Sequence, residues 1–240
     1  MKTIVITGAT RGLGLAIARQ AISESYKVVA VGRSLSDELA ATCAQFPEAI
    51  HFESFDLNQV GSIHTFATQL AKTYGRIWGL VNNAAIGTDG VLATLHERDI
   101  GQLLRVNVEA PILLTKYLLR PMLMNRAGRI INISSIIAST GFTGLSVYGA
   151  TKAAMAGFTR SLSREVGKAG ITVNTVAPGY METDMTTALR GEKLESIKRR
   201  SPLGHLARAG DVAHAVTYLL SEKAASVTGS TITVDAGSTA

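Results

Sequence analysis

Three side chains in the middle of the chain are of the types, and at the spacing, that proton exchange with a carbonyl or alcohol oxygen requires. Tyr148 and Lys152 stand four residues apart in a segment of helical pattern, so they share one helix face. A tyrosine titrates near 10 and is a poor base at neutral pH, but an adjacent ammonium stabilises the phenolate and is expected to lower that value. Ser135, at the end of an apolar run upstream, can hydrogen-bond the same oxygen; Ser134 is its neighbour. Taken alone, a tyrosine-lysine pair is most often an exposed surface pair, so its meaning depends on what accompanies it.

What accompanies it is a glycine turn near the N-terminus, Thr7-Gly8-Ala9-Thr10-Arg11-Gly12-Leu13-Gly14. It follows the apolar run Thr3–Thr7 and opens the helical pattern Leu15-Ala16-Ile17-Ala18. A chain leaving a strand there must turn tightly, bring backbone N–H groups to a pyrophosphate and present a helix N-terminus to its charge. Gly8 suits the turn, Gly12 the close approach and Gly14 the packing of helix on strand. The spacing is Gly-x-x-x-Gly-x-Gly, which differs from the Gly-x-Gly-x-x-Gly of the common dinucleotide fingerprint.

The elements that must hold these groups alternate along the chain. Thr3–Thr7, Lys27–Val31, His51–Phe55, Trp78–Asn82, Arg129–Ile133, Ile171–Val176 and Thr231–Val234 read as strands. Helical patterns lie near 12–24, 34–45, 59–73, 96–124, 148–168 and 209–221. This alternation predicts an α/β fold: a Rossmann-type doubly wound parallel sheet of about seven strands with helices on both faces, in one domain spanning 1–240. The irregular stretch Tyr180–Ala207 is expected to be a substrate lid. Leu103–Met124 and Ala150–Val166 are apolar on more than one face, which predicts deep burial or packing on a second subunit, as a dimer or tetramer.

The glycine turn resembles that of the short-chain dehydrogenase/reductase family, and the resemblance runs over essentially the whole chain. It includes Asp56-Leu57, Asn82-Asn83-Ala84-Ala85, Asn107, Ser134-Ser135, Tyr148-x-x-x-Lys152 and Pro178-Gly179, in that order. Within the family the chain is most similar to the 3-oxoacyl-[acyl-carrier-protein] reductases, through Arg129–Ser135, Val176–Met185 and Val227-Thr228-Gly229. The resemblance implies an NADP-dependent oxidoreductase that reduces a 3-oxoacyl thioester, on acyl carrier protein or coenzyme A, in fatty-acid or polyketide-type biosynthesis. Alternatives are another ketone or secondary alcohol as substrate, or an idle NADP(H)-binding regulator or nucleic-acid binder. It also implies Ser135, Tyr148 and Lys152 as catalytic, with Asn107 as a fourth member whose backbone carbonyl holds a water. Gly8, Thr10, Arg11, Gly12, Leu13, Gly14, Arg33, Asp56, Leu57, Asn83, Ala84, Pro178, Gly179, Met181 and Thr183 would bind cofactor together with Tyr148 and Lys152.

Three details qualify that picture. The second strand ends Val31-Gly32-Arg33-Ser34 with no acid until Asp37, so Arg33 and Arg11 favour a 2′-phosphate and hence NADP(H). Pro111 lacks the N–H that would bond the carbonyl of Asn107 in a helix, which predicts a kink there. Position 85 is alanine where the family usually has glycine, a strained choice if that turn needs a positive φ.

Composition narrows the remaining classes. The 240 residues carry 24 basic and 18 acidic groups, a formal charge of +6, and are 46% hydrophobic. A single cysteine, Cys43, cannot form an intrachain disulfide, and no apolar stretch approaches a membrane span, so a cytoplasmic protein is expected. The five histidines show no ligand spacing, and no metal is expected. The basic excess lies within residues 120–208 without interleaved aromatic residues, which argues against nucleic acid. By the family resemblance Arg126 occupies a carrier-docking position. Arg129 and Lys168 are expected beside it, on a basic face next to the cleft that would steer an acidic carrier.

Overall fold

The computed structural model describes residues 1–181, 195 and 198–240. Seven strands form one sheet: β1 (Thr3–Thr7), β2 (Lys27–Gly32), β3 (Ile50–Ser54), β4 (Ile77–Asn82), β5 (Gly128–Ile133), β6 (Ile171–Pro178) and β7 (Thr231–Val234). Their order is β3-β2-β1-β4-β5-β6-β7, and each neighbouring pair is parallel. The observed strands begin and end within about two residues of those read from the sequence. The central strands β1, β4, β5 and β6 are buried at every position, as a parallel sheet covered on both faces requires, and β5 and β6 bury polar residues such as Asn132 and Asn174 within them. The edge strand β7 alternates between exposed and half-buried positions, as one solvated face requires.

Helices cover both faces. On one, α1 (Gly12–Ser23) packs against α8 (Ala209–Leu220), closing a core that includes Ile17, Ala18, Val212 and Val216. On the other, α3 (Ile63–Tyr74), α5 (Ala110–Asn125) and α7 (Ser146–Val166) bury Leu70, Leu114, Leu118 and Leu162. The fold also contains the helices α2 (Asp37–Gln45), α4 (Glu97–Leu104) and the short α6 (Ile137–Thr140). No helix among the described residues is long and apolar enough to cross a membrane.

Two departures from the sequence reading have physical causes. The single helix expected near 96–124 is divided into α4, a π-helical turn over Arg105–Glu109, and α5. Pro111 cannot donate to the carbonyl of Asn107 in the α pattern, and a π turn is one of the recognised ways a helix absorbs such a break. Of the lid expected at Tyr180–Ala207, residues 182–194, 196 and 197 lie outside the described residues.

Strand order reverses direction between β1 and β4, so the loops after these two strands diverge and leave a crevice at their C-terminal ends. This is where ligands bind in doubly wound sheets.

Candidate active site

The loop after β1 forms the floor of that crevice. Gly8 has φ +65° and Gly12 φ +53°, values that L side chains rarely adopt. At Gly14 the constraint is space, because a Cβ there would stand 2.1 Å from the Gly8 carbonyl oxygen and 2.6 Å from Asn83 Nδ2. The carboxamide of Asn83 donates to the carbonyls of Thr7 (2.9 Å) and Gly8 (3.1 Å), tying the loop after β4 to the glycine turn. The Thr7 hydroxyl accepts from the N–H groups of Asn83 (3.1 Å) and Ala84 (3.0 Å). The N-terminus of α1 has no side-chain cap and no acidic residue in its first turn, whereas α2 is capped by Ser36 and opens with Asp37 and Glu38. The α1 end therefore keeps its N–H groups and positive dipole for an anion, and fits the pyrophosphate of a dinucleotide.

Along one wall lie Arg11, Arg33, Asp56 and Leu57, all lining a cleft of about 590 Å³ that also takes in Thr10, Gly12 and Leu13. Both arginines are exposed at its rim. Asp56 Oδ1 accepts from the N–H of Asn58 (2.9 Å), an Asx turn that presents the carboxylate at the end of β3.

At the far end of the same cleft are Ser135, Tyr148 and Lys152. Ser135 hydrogen-bonds the Tyr148 phenol. Its Oγ also accepts from the N–H of Ile137 (3.3 Å). Ser134 points elsewhere: its hydroxyl donates to the Lys152 carbonyl (2.9 Å), anchoring α7 to the end of β5. Lys152 is 4% exposed, and its Nζ donates to the carbonyl of Ile133 (2.9 Å) and lies 5.6 Å from the Tyr148 ring centre. Burial holds the Lys152 amine down at about 8. Burial likewise pushes the Tyr148 phenol above its ordinary value, with the Ser135 hydrogen bond pulling in the other direction. The expectation that Tyr148 is lowered is thus corrected: desolvation is the larger effect on this side chain.

Asn107 is buried at 3% exposure, and it is the side chain whose contacts define its place. Its Oδ1 accepts from the N–H of Ile86 (2.9 Å). Its Nδ2 donates to the Ile86 carbonyl (2.9 Å) and to the Thr151 hydroxyl (3.2 Å). The π turn therefore clamps the loop after β4 against α7, next to Lys152. Ala85 in that loop does not have a positive φ, so the strain considered for it does not arise.

Pro178, Gly179 and Met181 line the cleft after β6. Thr183 lies outside the described residues. Ile86, which nothing in the sequence singled out, lines the cleft together with Phe142 and with Tyr180, the first residue of the expected lid. Tyr180 Oη is buried with no partner among the described residues, and its ring meets Phe142 edge-on at 6.0 Å. No motif marks these positions, because a pocket wall needs shape rather than a fixed spacing.

Arg126 and Arg129 are not beside this cleft. Arg126 precedes β5 and Arg129 is its second residue, so both stand at the N-terminal end of a parallel sheet whose C-terminal end carries the cleft. Arg129 is only 3% exposed: it pairs with Glu222 (3.2 Å) and lies over the Trp78 ring. A basic residue at the start of a buried strand needs such a partner, and Glu222 supplies it.

The short chain dehydrogenase family model matches residues 2–194. The 3-oxoacyl-[acyl-carrier-protein] reductase FabG of Haemophilus influenzae is 38% identical over 237 residues, covering 98% of this chain and 97% of that protein. The enzyme of the same name from Escherichia coli is 37% identical over 238 residues, with 98% and 96% covered. Among solved structures, a putative NAD(P) dependent gluconate 5-dehydrogenase from Beutenbergia cavernae with bound NADP superposes with a TM-score of 0.93 at 32% identity, covering 98% of this chain and 96% of that one. A gluconate 5-dehydrogenase from Burkholderia cenocepacia, in complex with NADP and tartrate, has the same TM-score at 28% identity, covering 99% and 95%. With the sheet order, the glycine turn and matches over nearly the full length all in agreement, the chain belongs to the short-chain dehydrogenase family.

Proposed function

We propose that the protein reduces the 3-oxo group of an acyl thioester, carried by acyl carrier protein or coenzyme A, with NADPH. The observation that carries this reading is the convergence of Ser135, Tyr148 and Lys152 at one end of a cleft whose other end holds Arg11 and Arg33. Bound NADPH supplies the hydride to the ketone carbon. Ser135 fixes the ketone oxygen by hydrogen bonding, and Tyr148 donates the proton to it. A phenol that burial keeps protonated is in the form this donation needs. Lys152, with an amine near 8, holds the ribose hydroxyls and resupplies the proton. Gly12 lets the backbone approach the pyrophosphate, while Arg11 and Arg33 hold the 2′-phosphate.

The full-length similarity to 3-oxoacyl-[acyl-carrier-protein] reductases supports the thioester. The likeness to gluconate 5-dehydrogenases favours a second reading, a polyhydroxylated keto acid. We place the protein in the cytoplasm as a homo-oligomer, with Leu104, Leu123 and Met124 of α4 and α5, all exposed in the single chain, covered by a second copy. The deciding experiment follows NADPH consumption with acetoacetyl groups on carrier protein, on coenzyme A and as the free ester, alongside 5-ketogluconate. The thioesters should be reduced with the higher kcat/KM. Preference for 5-ketogluconate would overturn the thioester reading, and a Tyr148→Phe variant with near-normal turnover would overturn the site assignment.

A further inference from the structure

At the end of the sheet opposite the cleft, Lys2, Arg76, Arg126 and Arg129 line a second groove of about 670 Å³. Its placement follows from topology, since Lys2 precedes β1, Arg76 precedes β4, Arg126 precedes β5 and Arg129 is the second residue of β5, and these three strands run the same way. We propose that this groove is a binding site for a small phosphate-bearing molecule.

Charge is the first argument. Four cations line the groove against one carboxylate, Glu222, which accepts from both Lys2 and Arg129. Arg76 is exposed and forms no ion pair among the described residues. Arg126, in the left-handed region at φ +49°, is held at the rim by donating one N–H to the Lys168 carbonyl (2.9 Å), which leaves the rest of its guanidinium for a ligand.

The second argument is independent of charge. Thr172 lies directly across from Arg129 in the β5–β6 register, lines the groove and is 6% exposed, and its hydroxyl is buried with no partner among the described residues. Buried polar atoms are nearly always paired, so an orphan beside a basic groove marks a place where a ligand oxygen would complete the set. A tetrahedral dianion suits donors converging from several loops and a strand better than a planar carboxylate, which is matched by one guanidinium fork. The volume lies within the range of small-molecule sites.

Trp78, the chain's single tryptophan, forms part of the wall, with Lys2 Nζ at 3.4 Å and the Arg129 guanidinium at 4.7 Å from its ring centre. Its emission therefore reports on this groove alone. Sodium phosphate titrated at constant ionic strength should change it saturably, and sodium chloride should not. An Arg76→Gln/Arg126→Gln double variant should bind phosphate at least about tenfold more weakly. Thr172→Val, which keeps the shape and removes the hydroxyl, should weaken binding severalfold without lowering Tm. Arg33→Gln, in the other cleft, should leave the titration unchanged. A response that chloride reproduces, or a double variant that binds phosphate like the parent, would overturn the proposal.

Discussion

Gly12 and Gly14 stand two residues apart in one motif, yet the structure gives them different jobs and alanine substitution should separate them. At Gly14 the new methyl would sit 2.1 Å from the Gly8 carbonyl oxygen and 2.6 Å from Asn83 Nδ2, against an ordinary contact of roughly 3.5 Å. Neither neighbour can swing aside, because Gly8 is backbone and the Asn83 amide is pinned by hydrogen bonds of 2.9 and 3.1 Å. The start of α1 must therefore back away by roughly 1 Å, lifting the fully buried Ile17 and Ala18 off the sheet. Overpacking of this kind costs about 3 kcal/mol, the upper end of the usual range. For a chain of this size that lowers Tm by roughly 6–12 °C. At Gly12 a methyl meets no atom within 4 Å, and the cost is the positive φ alone, about 1–2 kcal/mol. Its methyl does enter the cleft, so the loss should appear as NADPH affinity weakened about tenfold, roughly 1.4 kcal/mol. Thermal unfolding and NADPH fluorescence titration on both variants read the contrast. Gly14→Ala melting within about 2 °C of the parent, or Gly12→Ala binding NADPH normally while losing more Tm than Gly14→Ala, would refute the reasoning.

Three further outcomes follow from the same geometry. Arg33→Asp should lower kcat/KM for NADPH by about tenfold to a hundredfold, the worth of one charge-assisted arginine–phosphate bond, and leave NADH use the same or better; an unchanged cofactor ratio would remove Arg33 from the site. Lys152 titrates near 8 when folded against 10.5 unfolded, so the unfolded chain binds more protons between these values and stability rises with pH across that window. Lys152→Met should then be more stable than the parent at pH 7, by at most roughly 3 kcal/mol, with the gap closing by pH 10; chemical denaturation showing a pH-independent gap would contradict this. Tyr180→Phe removes a hydroxyl that has no partner among the described residues, so Tm should hold or rise slightly, while KM for the acyl thioester rises if that hydroxyl meets the substrate; a lowered Tm would show that the hydroxyl is paired in the folded chain.

The sheet was legible because burial on both faces leaves a strong trace, as in the apolar runs Val28 to Val31 and Ile4 to Ile6. The glycine turn and the Tyr148–Lys152 pair were legible because each rests on local spacing, a tight turn in one case and one helical step in the other. What escaped the sequence depends on contacts between distant segments. The Asn82 carboxamide donates to Thr115 and Asn132, and Asn132 in turn donates to Thr159, which joins β4, α5, β5 and α7 behind the reactive groups. Each is an ordinary polar residue in sequence, and only the fold makes them a network. The direction of the Tyr148 shift escaped for a similar reason, since desolvation depends on everything packed around the ring.

The misplaced arginines show a signal that was present and not used. In a parallel sheet, residues just before a strand and just after it are at opposite ends of the molecule. Arg126 and Arg129 flank the start of β5, while Ser134 and Ser135 follow its last residue, Ile133. At about 3.3 Å per residue, those six strand residues put roughly 20 Å between the two ends. That is more than two Debye lengths at physiological ionic strength, so exposed charges at one end are largely screened from the other. Arg11 and Arg33, facing the cleft, and Lys2, Arg76 and Arg126, facing the opposite groove, therefore act as two separate fields. Neutralising either set should leave binding at the other unchanged, which makes each set the internal control for the other.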